Sequence, residues 1–218
     1  MLWGNTVWEF IQKGGIFMYP ILACSIISLA IFLHKIWILR SKRVIPQRFL
    51  TELRGLLAQG KMVEAVILSR SNGSSIARIV QSALRSAHKD KAELKEEIEE
   101  AGSKEASELE SYIEGLGAIS NVSTLLGLLG TISGMIKIFR VIADQPIVNP
   151  PSLAAGISEA LYTTALGLLV AIPSFIAYKY LLGRAAELTL NMEEEAQGLM
   201  EQILEKPFKE EKVREVAR

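Results

Sequence analysis

The chain has 218 residues, with 24 Lys and Arg set against 24 Asp and Glu, and half of it is hydrophobic. Those averages hide a segregation, because charges fill two blocks and are nearly absent from three others, a pattern that excludes an ordinary soluble domain and reads as a membrane protein. No basic stretch interleaved with aromatics points to nucleic acid, and no P-loop, G-x-G-x-x-G, H-E-x-x-H or Ser/His/Asp arrangement points to an enzyme.

A spanning helix needs roughly 20 predominantly apolar residues, and three segments provide them. A short segment, residues 1–14, precedes the first, residues 15–39. Lys13 before an apolar run resembles a secretory signal, but the run is too long and its following flank is "HKIWILRSKR" rather than a small-residue cleavage site. It reads as a permanent anchor. The single Cys24 lies inside it, so no intrachain disulfide forms. His34 and His88 are too few and too scattered for a metal site.

Residues 40–112 carry the first charged block. Pro46 suits a helix N1 position and Gly60 a stop, so "PQRFLTELRGLLAQ" predicts a short helix. A second covers "KMVEAVILSR" and ends in the turn cluster "SNGS", and a third begins near Ser74. Asp90 with Glu93 resembles a capping box. Leu94, Ile98, Ala101, Leu109, Ile113 and Leu116 then recur at helical spacing. They predict one long helix from Asp90 into the second span, residues 113–142, with its Glu/Lys-rich outer face a solvated face or a docking surface.

Hydrophobicity no longer distinguishes a partner helix from lipid, so spans associate through small residues that let backbones approach. "GLLGTISG" offers Gly127, Gly130, Thr131 and Gly134; the third span, residues 152–182, offers Gly156, Ala160, Thr163 or Thr164, Gly167 and Ala171. Residues 143–151 form the loop between them. Asn149 and Pro150 read as N-cap and N1, which puts Glu159 ~13 Å into the third helix. Pro173 predicts a bend, either a fixed kink or a hinge. Residues 183–218 continue as an amphipathic helix with Leu190, Met200 and Ile203 among its apolar residues, until Pro207 interrupts it.

Lys and Arg flank the cytoplasmic side of a span. Lys35, Arg40, Lys42 and Arg43 after the first span, with Lys179 and Arg184 after the third, put the N-terminus and the 143–151 loop outside. Lys137 and Arg140 dissent, and can snorkel to the interface.

A carboxylate in hydrocarbon costs at least ~2.5 kcal/mol, so Glu159 should face a bundle interior or a water-filled cavity. There it can hold and release a proton, with the hydroxyls of Thr163, one turn on, and Thr131 to line water or relay hydrogen bonds. Two readings stay open beside that one. Glu159 can form a static ion pair with Lys137 or Arg140, and Thr hydroxyls can bond their own helix carbonyls.

"LLGLLGTISGMIKIF" followed by "GISEALYTTALGLLVAIPSFIAY" resembles the ExbB/TolQ family of proton-channel subunits, most like ExbB and more distantly like flagellar stator subunits. The resemblance implies an all-α integral membrane protein, not an enzyme and without a cofactor. It implies a homopentamer whose second and third spans line a pore around an ExbD/TolR-like partner dimer. The partner's intramembrane aspartate takes up protons, and the motion passes to a TonB- or TolA-like protein of a biopolymer-transport or envelope system. It implies a bacterial inner-membrane location. Carried over by motif, the pore glutamate falls on Glu159, and the threonines on Thr131 in "GTISG" and Thr164 in "EALYTT". Helical geometry instead puts Thr163 on the Glu159 face, with Thr164 turned away by about 140°. Tyr162 adds bulk where the family often has a smaller residue. The alternative from another class is a non-conducting scaffold that gathers partners through its cytoplasmic helices. A secondary transporter is disfavoured by three spans without an inverted repeat.

Overall fold

The computed structural model describes residues 14–87, 90–144 and 149–204, and among these every regular element is a helix. Expectations for residues 1–13, His88, residues 145–148, Pro207 and the end of the tail lie outside the described residues. The elements are α1 (Met18–Ile38), α2 (Ser41–Val44), α3 (Gln47–Ala58), α4 (Met62–Ser71), α5 (Ser75–Arg85), α6 (Lys91–Glu110), α7 (Ile113–Asp144) and α8 (Pro150–Leu204). The described residues divide into two compact units: one holds residues 14–34, 112–144 and 149–180, the other residues 35–87, 90–111 and 181–204. Three helical stretches, in α1, in α7 and in α8, are long and apolar enough to cross a membrane.

The charged unit is a small helical bundle built by ordinary burial. α3 packs on α4, and α5 packs on both α4 and α6. Phe49, Leu50, Leu53 and Leu57 of α3 are buried, as are Ile76, Ile79, Val80 and Leu84 of α5 and Leu94 and Ile98 of α6. The second half of α8 adds a stripe, Leu181, Ala185, Leu188, Met192, Ala196, Leu199 and Ile203, whose three- and four-residue steps keep one face turned inward. Leu190 falls off that stripe and is exposed, unlike Met200 and Ile203.

Local signals set the helix ends. Ser74 caps α5, its hydroxyl accepting from the Ala77 amide, and Gly60 after α3 takes φ +72°, a value glycine adopts without penalty. Pro46 stands one residue before α3 rather than inside it. Asp90 caps α6, but its carboxylate takes the Lys91 amide rather than that of Glu93, so the expected capping box is not made on the Asp90 side.

The single long helix expected from Asp90 into the second span is instead two. α6 ends at Glu110 and α7 starts at Ile113, because Ser111 is extended and Tyr112 takes φ +61°, outside right-handed helix. The break would leave carbonyls of the last turn of α6 without helical partners. Lys35, 2 % exposed on the last turn of α1, supplies donors: its Nζ lies 3.1 Å from the Leu109 carbonyl, 3.3 Å from that of Glu108 and 3.2 Å from the Ser111 hydroxyl.

In the apolar unit, α7 buries Ile113, Leu116, Ser120, Ser123, Gly127, Gly130, Gly134 and Ile138. The steps are of three and four residues, the seam of a close antiparallel helix pair. Opposite them α8 presents Gly156, Ala160, Thr163 and Gly167. A Cβ added at Gly167 would sit 2.7 Å from the Ser123 carbonyl oxygen, and one at Gly134 would sit 2.7 Å from Ala160 Cβ. The two backbones therefore touch, and only small residues allow it.

Hydroxyls reinforce the contact where hydrocarbon offers no other partner. Thr164 donates to the Gly127 carbonyl at 3.0 Å and Ser120 to that of Ala171 at 2.9 Å. α1 joins through Met18 and Ile21, buried against Leu166 and Val170, and through a 2.7 Å hydrogen bond between Ser28 and Ser174. Pro173 lies within α8 without ending it.

Candidate functional site

α8 begins at Pro150, which needs no amide partner in a first turn, and the Asn149 carbonyl accepts from Ser152 and Leu153. The helix then carries Glu159 on the same face as Ala160 and Thr163. The facing helix places Lys137 one turn beyond Gly134. The Lys137 ammonium lies 2.5 Å from Glu159 Oε1; the carboxylate side chain is 16 % exposed and the lysine 53 %. The cation reaches the anion from the open side, and the glycine seam sets the distance between the two helices. Arg140 makes no ion pair among the described residues.

Thr163 is fully buried. Its hydroxyl lies 2.8 Å from the Glu159 carbonyl on its own helix and 2.5 Å from the Gly14 carbonyl ahead of α1. A hydroxyl has one proton to give, and here both acceptors are backbone oxygens. Thr131 donates to Leu128 on its own helix at 2.6 Å. Thr164 points to Gly127, away from the Glu159 face, and binds helix to helix.

Of the residues singled out in the sequence, the structure thus brings together Glu159, Lys137 and Thr163, with Gly130 against Thr163 and Gly134 against Gly156 and Ala160. Thr131 and Thr164 have backbone partners elsewhere. Two participants were not anticipated, Gly14 and Gly15. Gly15 takes φ +72°, and a Cβ built on it would overlap the Glu159 carboxylate. The "GG" doublet at the start of the first apolar run was the available signal.

Apolar helices of spanning length, a glycine seam and an ion-paired carboxylate inside a span define an all-α, multi-pass integral membrane protein. Residues 71–194 match the model of the MotA/TolQ/ExbB proton channel family. The chain belongs to that family.

Among its relatives is an ExbB homologue of Methanothermobacter thermautotrophicus, named for biopolymer transport, 31 % identical over 181 residues that cover 83 % of this chain and 64 % of the relative. The biopolymer transport protein ExbB of Aquifex aeolicus is 37 % identical over 86 residues, 39 % of this chain and 58 % of that protein. The Tol-Pal system protein TolQ of Pseudomonas aeruginosa is 40 % identical over 76 residues, 35 % of this chain and 33 % of the relative. The match thus spans somewhat less than two thirds of the first relative's length.

Proposed function

We propose that this protein is a proton-motive-force-driven energy transducer: a channel or motor subunit that forms a homopentamer around an ExbD/TolR-like single-span partner and drives a TonB- or TolA-like envelope protein. The observation that carries the reading is Glu159, an ionisable carboxylate in an otherwise apolar stretch of α8, held by a partly exposed lysine rather than sealed in the seam. An intramembrane carboxylate that keeps an open side can exchange a proton. In this reading Glu159, Thr131, Thr164 and Thr163 line the proton path. The helix packing of Gly127, Gly130, Gly134, Gly156 and Gly167 sets its width, and Pro173 allows α8 to bend.

The chain sits in the bacterial inner membrane with its N-terminus periplasmic and the 40–112 and 183–218 regions cytoplasmic. The family membership and the names of the relatives support this assignment, as do the Lys and Arg after the first and third spans. Among the described residues the apolar spans carry no second carboxylate suited to the partner's role, and in this reading the chain works with that partner.

A second reading rests on the same pair. If the Lys137 contact is permanent, Glu159 is structural and the protein is a non-conducting scaffold that gathers partners through exposed residues such as Glu96 and Glu100 of α6. Proton flux into proteoliposomes decides between them, comparing wild type with partner, Glu159→Gln with partner, and wild type alone. Flux that requires both the partner and Glu159 is expected. No flux in either assembled particle overturns the transducer in favour of the scaffold, and equal flux in wild-type and Glu159→Gln particles overturns the role of Glu159 in the proton path.

A further inference from the structure

Glu159 has a third neighbour, which neither the glycine seam nor the lysine accounts for. Gly14, buried, and Gly15 lie ahead of α1, where the Gly15 carbonyl accepts the Met18 amide at 3.3 Å. The Gly14 carbonyl is one of the two acceptors of the buried Thr163 hydroxyl. Gly15 takes φ +72°, where an L side chain is strained. A Cβ there would lie 2.9 Å from Glu159 Cδ and 3.3 Å from Cγ, and would overlap Oε1 outright. Gly60 is the internal comparison: it has the same φ of +72°, yet nothing stands within 4 Å of the place a Cβ would take. The left-handed backbone therefore favours glycine at both positions, and at Gly15 a Cβ would in addition oblige the Glu159 carboxyl, the free end of a flexible side chain, to move.

We infer that the Gly14–Gly15 doublet is a seat for the intramembrane carboxylate: the Gly14 carbonyl fixes the α8 turn through Thr163, and the bare Cα of Gly15 leaves room for the Glu159 carboxyl to turn toward Lys137. Gly15 is a positioning residue, acting only through Glu159. The carboxylate is bounded by Lys137 on one side and by the doublet on another. A side chain at position 15 forces it from the arrangement in which it meets Lys137. This deepens the proton-carrying reading of Glu159 and rests on it for its consequence in flux, though not for the seating itself.

The test is a double-mutant cycle on the partner-bound particle in lipid, with Gly15→Ala, Glu159→Ala, their combination and Gly60→Ala, read by melting midpoint and by proton flux. Gly15→Ala is expected to melt about 2–4 °C below Gly60→Ala, a shift suited to a chain of this size. Most of that excess should vanish in the Glu159→Ala background, because the obstructing carboxylate is gone. Flux in assembled Gly15→Ala should fall at least about tenfold, and Gly15→Ala/Glu159→Asp should conduct better than Gly15→Ala because the shorter acid removes the worst overlap, the one with Oε1. Additive melting shifts overturn the seat, and so does wild-type flux in Gly15→Ala when Glu159→Gln abolishes flux. If Gly15→Ala does not accumulate, the seat requires that Glu159→Ala restore it, and failure to restore overturns the proposal. Flux that survives Glu159→Gln removes the transducer reading instead, while the melting cycle still decides the seat.

Discussion

Lys137 on α7 and Glu159 on α8 form a 2.5 Å ion pair between two helices whose glycines bring their backbones into contact. The pair is not interchangeable with two separate charges. Removing the cation leaves an anion in an apolar span, which costs at least ~2.5 kcal/mol, whereas removing both leaves neither. Lys137→Met is therefore expected to lower the melting midpoint in lipid more than Lys137→Met combined with Glu159→Gln. A double variant no more stable than Lys137→Met would show that the carboxylate does not need this lysine.

The glycine seam predicts a steep size dependence. Gly167→Val puts methyls where a single Cβ would already lie 2.7 Å from the Ser123 carbonyl oxygen. The expected cost is on the order of 1–3 kcal/mol or more, as for overpacked cores. Gly183→Ala on the same helix meets nothing within 4 Å and should be neutral or slightly stabilising. Unfolding of the two variants in the same detergent checks the contrast, and equal midpoints would contradict the seam.

Lys35 acts as the C-terminal cap of α6. Lys35→Met keeps the stem and removes the ammonium from the Leu109 and Glu108 carbonyls. A loss of about 1–3 kcal/mol is expected from charge-assisted hydrogen bonds left unmade. Amide exchange should accelerate locally over residues 107–112 before the rest of the bundle responds. Uniform acceleration across α3 to α6 would instead mean a global role.

Arg78 holds both Glu105, which is 5 % exposed, and Glu108. Its guanidinium pKa is raised above the ordinary value, chiefly by the hydrogen bonds to Glu105, with burial opposing. A raised cationic pKa contributes stability that is fully present below the unfolded value and is lost only as pH rises through the folded one. Arg78 therefore adds no slope to stability between about pH 6 and pH 9. Arg78→Met is expected to cost about 1–3 kcal/mol throughout that range, because the buried Glu105 loses its partner. Denaturant midpoints at several pH values measure it, and a cost that disappears by pH 9 would contradict the pairing.

Core burial in the charged bundle gives the simplest prediction. Leu53 is fully buried, and Leu53→Ala should cost about 2–5 kcal/mol. Chemical denaturation of the detergent-solubilised chain, compared with that of Leu190→Ala at an exposed position, checks it.

Much of the architecture was legible because its determinants are local. Apolar runs of spanning length are set by bilayer thickness, and they locate α1, α7 and the first part of α8. Asn149–Pro150, Ser74, Asp90 and Gly60 mark helix ends through their own hydrogen bonding or φ, within a residue or so. The small-residue stripes were visible as a helical repeat. The break at Ser111–Tyr112 was not, since "SELESYIEGLG" carries helical periodicity throughout and contains no proline. The residue that caps it, Lys35, is more than seventy positions away in sequence.

The Glu159 neighbourhood divides along the same line. Helical spacing alone put Thr163 with Glu159 and turned Thr164 away, because 3.6 residues per turn is a property of one helix. Two partners were open to Glu159 in the sequence, Lys137 and Arg140, and only the crossing of α7 and α8 selected Lys137. Likewise the hydroxyls of Thr131, Thr163 and Thr164 were all available to a proton path in the sequence. Thr131 and Thr163 took the acceptors their own helices offer, which the sequence allowed, whereas tertiary structure gave Thr163 a second acceptor at Gly14 and aimed Thr164 at Gly127. By itself the sequence determined an all-helical membrane protein with a carboxylate in its third span, since hydrophobic length, caps and periodicity are written residue by residue. Which cation meets that carboxylate, and which glycine must stay bare beside it, depended on residues distant in the chain approaching within a few ångströms, and that is a matter of packing.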